Sequence, residues 1–279
     1  MADTLAIILD YLNEKRGFDF SGYHQPMLER RIAQRLAATS CNDVTDYLSC
    51  LKTNTAELDR LLDVLTINVS RFFRDTLTFE LLADRILPAI IQEKGGLKDH
   101  SLRVWSAGCA RGEEPYSLAI LIHELLQKEA PSMTLHIFAT DIDSGALEDA
   151  SQAIYPLASV ETMQYRLLMT YFTPKETSAG TSFCLCPEIK NQVSFTRYDM
   201  LDKRYGVPPA SVFGNFDLVL CRNLLIYYTA EYQEIIFTRL YNALAGNGYL
   251  VLGESEAPVM KYRHHFTRIF DFSPIYRKR

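Results

Sequence analysis

From residue 102 onward the chain repeats one pattern, a short apolar run followed by an amphipathic stretch of helical period, and few folds accommodate such a pattern. Leu102 to Ala107, Leu135 to Thr140, Val193 to Thr196, Phe216 to Leu220 and Gly248 to Leu252 read as strands. Glu114 to Gln127 and Ala230 to Ala245 read as helices, the second stopped by Gly246. Alternating strands and helices build an α/β sheet, since a parallel strand is reached only through a crossover that a helix usually supplies. Phe266 to Tyr276 would add a closing antiparallel hairpin. Between Thr173 and Val193 the alternation is interrupted by Ser, Thr, Gly and Pro around Ser182-Phe183-Cys184-Leu185-Cys186. This stretch reads as a small strand-containing excursion inserted into the main domain.

The residues before the break at Lys94-Gly95-Gly96 read as helical instead. Leu58, Leu61, Leu62 and Leu65 line one face of a helix, and Leu28, Ile32 and Leu36 make a second apolar stripe. Arg30, Arg31 and Arg35 fall on the neighbouring arc, so that one face of this helix would pack and the other would present positive charge.

A chain of 279 residues with 48% hydrophobic residues can hold one large domain and a smaller one. Its formal charge of −5 argues against broad, charge-driven binding of nucleic acid. No apolar run is long enough to span a bilayer, and the start at Met1-Ala2-Asp3-Thr4 lacks the basic and apolar regions of a secretory signal, so a cytoplasmic protein is expected. The six cysteines show no paired metal-ligand spacing and are expected to be thiols; His264 and His265 have no metal-binding partners in sequence, so no metal is expected.

The first strand runs into Ser106-Ala107-Gly108-Cys109-Ala110-Arg111-Gly112-Glu113-Glu114-Pro115-Tyr116-Ser117, a small-residue loop that opens a helix. Such a loop lets a ligand approach the backbone, although a tight strand-to-helix turn would look the same. The second strand ends in Ala139-Thr140-Asp141-Ile142-Asp143. A carboxylate there can accept both ribose hydroxyls of a nucleoside cofactor, or cap the next helix; Asp141 is assigned to ribose and capping to Asp143 or Ser144. The loop lacks the Gly-x-Gly-x-x-Gly spacing for a pyrophosphate, and Glu113 and Glu114 would repel phosphate. A cationic sulfonium cofactor fits better.

The segments Asn68-Val69-Ser70-Arg71-Phe72-Phe73-Arg74-Asp75, Trp105 to Ser117, Ala139 to Asp143 and Cys221-Arg222-Asn223-Leu224-Leu225-Ile226-Tyr227 stand in this order along most of the chain. Together they resemble the motifs of the chemotaxis-receptor glutamate O-methyltransferase family. The resemblance implies a Rossmann-like class I S-adenosylmethionine-dependent methyltransferase sheet over residues 81–279, with the β-subdomain inserted near 173–193, and an all-helical receptor-recognition domain over residues 1–80. It implies S-adenosylmethionine contacts at Asn68, Ser70, Arg74, Glu113, Asp141, Asp199, Met200, Arg222 and Asn223. Tyr227 matches a tyrosine near the transferable methyl. Ser70 stands where the family has threonine, Asp199 where asparagine is commoner, and Glu254 replaces histidine in Gly253-Glu254-Ser255-Glu256.

The implied reaction forms glutamate methyl esters and S-adenosylhomocysteine on cytoplasmic helices of methyl-accepting chemotaxis receptors. It needs no general base, because a glutamate of pKa about 4.3 is already ionised at neutral pH. The helix bearing Arg30, Arg31 and Arg35 would meet the acidic substrate helices. The expected assembly is a monomer without nucleic-acid or inserted-membrane partners. Two other readings compete. The Asp/Asn-Pro-Pro-aromatic motif of many amino-group methyltransferases is absent, which counts against a nucleic-acid substrate, and a cofactor-binding sensor that has lost catalysis is the alternative from another class.

Overall fold

The computed structural model describes residues 2–66, 70–95, 100–177, 180–202, 204–211 and 214–279. The chain forms two compact units, Met1–Asn68 together with Ile226–Gln233, and Val69–Leu225 together with Glu234–Arg279.

The first unit carries helices α1 (Ala2–Arg16), α2 (Gln25–Ala37), α3 (Val44–Thr53) and α4 (Thr55–Thr66). The leucine stripe read from sequence is its interior: Leu58, Leu61, Leu62 and Leu65 of α4 are all buried, with Leu28 and Ile32 of α2. Asp43 caps α3 by accepting from the N–H groups of Thr45 and Asp46 at 2.8 and 2.9 Å. The residues after 225 complete this unit. Tyr23 bridges Tyr228 as an isolated antiparallel pair, the His24 N–H donates to the Tyr227 carbonyl at 3.0 Å, and the Thr229 N–H donates to Gly22 at 2.9 Å. Gly22 is required there, because a Cβ would sit 2.5 Å from the Tyr232 ring.

In the second unit, α5 (Thr76–Leu81) continues through a π-helical turn into α6 (Leu87–Gly95). The α/β part then follows: β1 (Ser101–Ala107), α7 (Glu113–Glu129), β2 (Thr134–Asp141) and α8 (Ser144–Gln152). Next come β3 (Ile154–Pro156), α9 (Leu157–Val160), α10 (Tyr165–Tyr171), β4 (Phe172–Thr177), β5 (Gly180–Leu185) and α11 (Pro187–Lys190). The unit closes with β6 (Val193–Arg197), β7 (Phe216–Cys221), α12 (Ala230–Ala243), whose first turn belongs to the helical unit, β8 (Leu244–Leu252), β9 (Phe266–Phe270) and β10 (Ser273–Lys278). The main sheet has the order β6-β2-β1-β7-β8-β10-β9. Its first five strands are parallel, and β10 pairs antiparallel with both β8 and β9, so the terminal hairpin is present.

Two local expectations shift. The helix read to Ala245 ends at Ala243, because Leu244 already pairs with Phe216 and the strand turns at Asn247, at φ 64°. The inserted excursion is larger than its polar composition suggested. It is a three-stranded sheet of order β3-β5-β4 that starts at Ile154, with Ile154–Pro156 paired to Ser182–Cys184.

The interior of the main sheet explains why the strands read as continuous apolar runs: covered on both faces, β1 and β7 bury nearly every residue. Trp105 is fully buried, and its indole N–H donates to Thr140 Oγ1 at 2.9 Å, which ties β1 to β2. Burying a side chain of that size contributes about 2–3 kcal/mol.

Candidate functional site

The strand order reverses at β1, which runs next to β2 on one side and β7 on the other. In such sheets the crevice at the carboxyl ends of the strands, beside that reversal, is where ligands bind. The loop after β1, the end of β2 and the segment after β7, all singled out in the sequence, lie at this edge.

The loop after β1 is shaped by left-handed backbone. Gly108, Ala110 and Gly112 stand at φ 73°, 47° and 90°. A Cβ at Gly112 would also lie 3.0–3.1 Å from Ala150, Phe195 and the Tyr155 hydroxyl, so a larger residue would add crowding to backbone strain. The Gly108 and Cys109 N–H groups donate to the Thr140 carbonyl at 2.8 and 3.0 Å, and the Ala110 N–H to Asp141 Oδ2 at 2.8 Å. The loop is thereby moored to the end of β2. Asp141 accepts a second backbone bond, from Asp143 at 3.0 Å, while Asp143 itself caps α8 through Gly145 and Ala146. Burial pushes the Asp141 carboxyl above its ordinary range, and the Asp143 and Ala110 N–H bonds act against that rise.

Glu113 opens α7 and is 3% exposed. Its Oε2 is buried without a hydrogen-bond partner. Burial pushes this carboxyl upward; its own N–H, Arg111 and a hydrogen bond with Ser159 oppose the rise. A buried acceptor lacking a donor favours a cationic donor, such as the ammonium of a methionine moiety. Glu113, the moored small-residue loop and Asp141 therefore suit an S-adenosyl group, whereas two carboxylates in the first turn of α7 disfavour a phosphate. Cys109 and Cys221 are held as neutral thiols by burial. Among the described residues no cluster of His, Cys, Asp or Glu could hold a metal ion, and no helix is long and apolar enough to cross a membrane.

Further along the same edge, Met200 is buried and Asp199 is half-buried, with its Oδ1 accepting from the Leu201 N–H at 2.7 Å. Arg239 braces this stretch by donating to the Tyr198 hydroxyl and the Tyr205 carbonyl at 3.2 and 3.1 Å. After β7, Asn223 adopts φ 57°, and its N–H donates to Glu256 Oε2 at 2.9 Å. The same oxygen accepts from the Gly253 N–H at 2.7 Å, so Glu256 joins the ends of β7 and β8. Glu254 is exposed and takes no part in that junction. A cavity of about 580 Å³ lies at the opposite, amino edge, but its Lys94 and Asp217 pair with each other at 3.1 Å.

The family described as CheR methyltransferase, SAM binding domain, matches residues 68–271, and the CheR methyltransferase all-alpha domain matches residues 3–66. The chain belongs to the CheR methyltransferase family. It is 33% identical over 251 residues to a chemotaxis protein methyltransferase of Salmonella typhimurium, covering 89% of this chain and 82% of that one. Chemotaxis protein methyltransferase 1 of Pseudomonas aeruginosa is 31% identical over 251 residues, covering 88% and 87%. An uncharacterised 104.1 kDa protein of Rhodobacter capsulatus is 36% identical over 259 residues, and the chain spans only 26% of its length.

In this CheR methyltransferase, Asn68 lies outside the described residues. Ser70 and Arg74 are half-buried on the stretch leading into α5. Arg222, expected to touch the cofactor, is engaged by protein groups. Its guanidinium pairs with Asp75 at 2.5 Å and Glu114 at 3.0 Å and donates to the Arg74 carbonyl at 2.9 Å. Neither Asp75 nor Glu114 lies near Arg222 in sequence, so residue spacing gives no sign of this pairing. In the helical unit, Tyr227 is half-buried in the 226–233 segment.

The three arginines expected on one face of α2 differ in their surroundings. Arg35 forms a two-pronged pair with Glu57, both bonds at 2.6 Å, and Glu57 also accepts from the Tyr47 hydroxyl at 3.1 Å. Arg31 is half-buried and donates to the Val64 carbonyl at 2.5 Å, whereas Arg30 is exposed. Two of the three guanidiniums thus hold α2 to α4.

Proposed function

We propose that this CheR methyltransferase transfers the methyl group of S-adenosylmethionine to glutamate side-chain carboxylates of chemoreceptors, forming methyl esters and releasing S-adenosylhomocysteine. The observation that carries the reading is the pair of buried or half-buried carboxylates, Glu113 and Asp141, held at the carboxyl ends of β1 and β2 beside a moored small-residue loop. Glu113 would hold the ammonium of the methionine part and Asp141 the ribose hydroxyls. Asp199 and Met200 would border the adenine, with Asn68, Ser70, Arg74, Arg222 and Asn223 completing the site.

S-adenosylmethionine supplies an electrophilic methyl on a sulfonium. The protein's part is alignment and exclusion of water, since two opposite charges combine and a water-poor site favours charge loss. Tyr227 orients the incoming carboxylate or the sulfonium. Its backbone is held by His24 of the helical unit, which ties its position to that unit.

The helical unit is the receptor-recognition part, with Arg30 facing acidic substrate helices and Arg31 and Arg35 positioning the helix that carries it. The three-stranded insertion is a second docking surface, for a receptor tail. The enzyme works in the cytoplasm as a monomer.

The test is transfer of radiolabelled methyl from S-adenosylmethionine to receptor-containing membranes, with the label released as methanol by mild base. Base-labile label that is lost in Asp141→Ala supports the reading. Calorimetric binding of the cofactor with no transfer to any receptor overturns the enzyme and leaves a sensor.

A further inference from the structure

The stretch from Ser70 to Asp75 follows a path that its side chains disfavour. Phe73 and Asp75 stand at φ 53° and 60°, in the left-handed region that residues other than glycine seldom adopt. Such a bend persists only where its surroundings over-determine it. Three anchors use backbone N–H groups: that of Phe72 donates to the Ser159 carbonyl at 3.0 Å, that of Phe73 to Ser117 Oγ at 3.0 Å, and that of Thr78 to the Asp75 carbonyl at 2.8 Å. The Phe72 ring is fully buried, edge-on to Tyr155 and Phe172.

Arg222 supplies the remaining anchor. Its Nη2 donates to the Arg74 carbonyl and to Asp75 Oδ2, its Nη1 to Glu114 Oε2, and its plane lies 5.4 Å over the Phe79 ring. The other oxygen of Glu114 accepts from Ser106 Oγ at 2.7 Å. One guanidinium therefore joins the 70–75 arm, the end of β7 and, through Glu114, the end of β1. Its side chain is 3% exposed and its charge is balanced by two carboxylates. That is the setting of a structural ion pair at Nη1 and Nη2, whereas Nε is buried without a hydrogen-bond partner.

We propose that Asp75 and Glu114 are positioning residues for cofactor binding: they hold the Arg222 guanidinium so that the arm keeps the left-handed bend that presents Ser70 and Arg74 to S-adenosylmethionine. The proposal rests on the reading of Ser70 and Arg74 as cofactor contacts. It adds Asp75 and Glu114 as residues on which cofactor affinity depends although neither touches the cofactor.

The experiment uses the full chain and its Asp75→Asn, Glu114→Gln and Arg222→Lys variants, each confirmed as folded by thermal melting. Two quantities are measured: S-adenosylhomocysteine affinity by calorimetry, and ligand-free hydrogen exchange of the amides at 72–78. In Asp75→Asn the Phe72 and Phe73 amides exchange faster while β1 and β7 are unchanged, and affinity falls about ten- to hundredfold. KM for S-adenosylmethionine rises more than kcat falls. Arg222→Lys behaves the same way, because an ammonium cannot span two carboxylates and a carbonyl in fork geometry. If Asp75→Asn does not fold, Glu114→Gln, which keeps the Asp75 pair, gives the same readouts.

Folded variants that bind within about twofold of wild type overturn the proposal, as does weakened binding with unchanged exchange at 72–78, which marks a direct contact. Wild-type protein that fails to bind S-adenosylhomocysteine overturns the cofactor assignment itself, a result distinct from either.

Discussion

The pH dependence of cofactor binding should carry a component from Glu113. The residue is 3% exposed, one carboxyl oxygen lacks a hydrogen-bond partner, and burial raises the carboxyl above the ordinary range. In the ligand-free protein the folded state therefore binds this proton more tightly than the unfolded chain does. The associated stability is fully present below the unfolded pKa and is lost as pH rises through the raised folded value. A ligand ammonium reverses the preference, because it favours the carboxylate. Binding then releases a proton, and affinity rises with pH across the same window by up to about tenfold, or about 1.4 kcal/mol, per pH unit before levelling off. Glu113→Gln removes this titration. At pH about 8 it also removes one charge-assisted bond, about 1.5–3 kcal/mol, so affinity falls roughly ten- to hundredfold. Calorimetry with S-adenosylhomocysteine in two buffers of different ionisation enthalpy reads both affinity and proton release. Arg111 and Asp149 also act on Glu113, and Asp141 is itself raised by burial, so the slope assigned to Glu113 is the part that Glu113→Gln abolishes and Asp141→Asn leaves. Parallel pH profiles for wild type and Glu113→Gln would refute the reasoning.

Gly112→Ala combines backbone strain at φ 90° with Cβ contacts of 3.0–3.1 Å, and urea denaturation is expected to show a loss of about 2–4 kcal/mol. Glu57→Gln leaves Arg35 and the Tyr47 hydroxyl around an uncharged partner. It should lower the stability of the helical unit by about 2–3 kcal/mol without changing S-adenosylhomocysteine affinity, as read by denaturation and calorimetry. Arg30→Glu should raise KM for receptor several-fold at low salt, with the effect fading as salt is added, whereas a stability defect alone would not follow ionic strength. Tyr227→Phe should lower kcat with cofactor affinity unchanged, and unaltered turnover would remove its orienting role.

The sequence alone was enough for the α/β alternation, the glycine loop at 106–117, the carboxylate at Asp141 and the leucine stripe of α4, because each is a local signal. A period of two or 3.6 residues, a run of small residues and an acidic strand end all lie within one element. The blocks around Arg74, Glu113, Asp141 and Arg222, in their order, likewise made the family legible before any coordinates. Tertiary structure decided what those residues do for one another. Ile154–Pro156 carries no period of its own and is a strand only because Ser182–Cys184 lies beside it. The charges of Arg35 and Arg222 are written in the sequence, but the pairing of Arg35 with Glu57 and of Arg222 with Asp75 and Glu114 is not. The physical reason is common to these cases. A side chain's charge and size are written at its own position, but its partner is chosen by chain segments 22 to 147 residues away, and only folding brings them within hydrogen-bond distance.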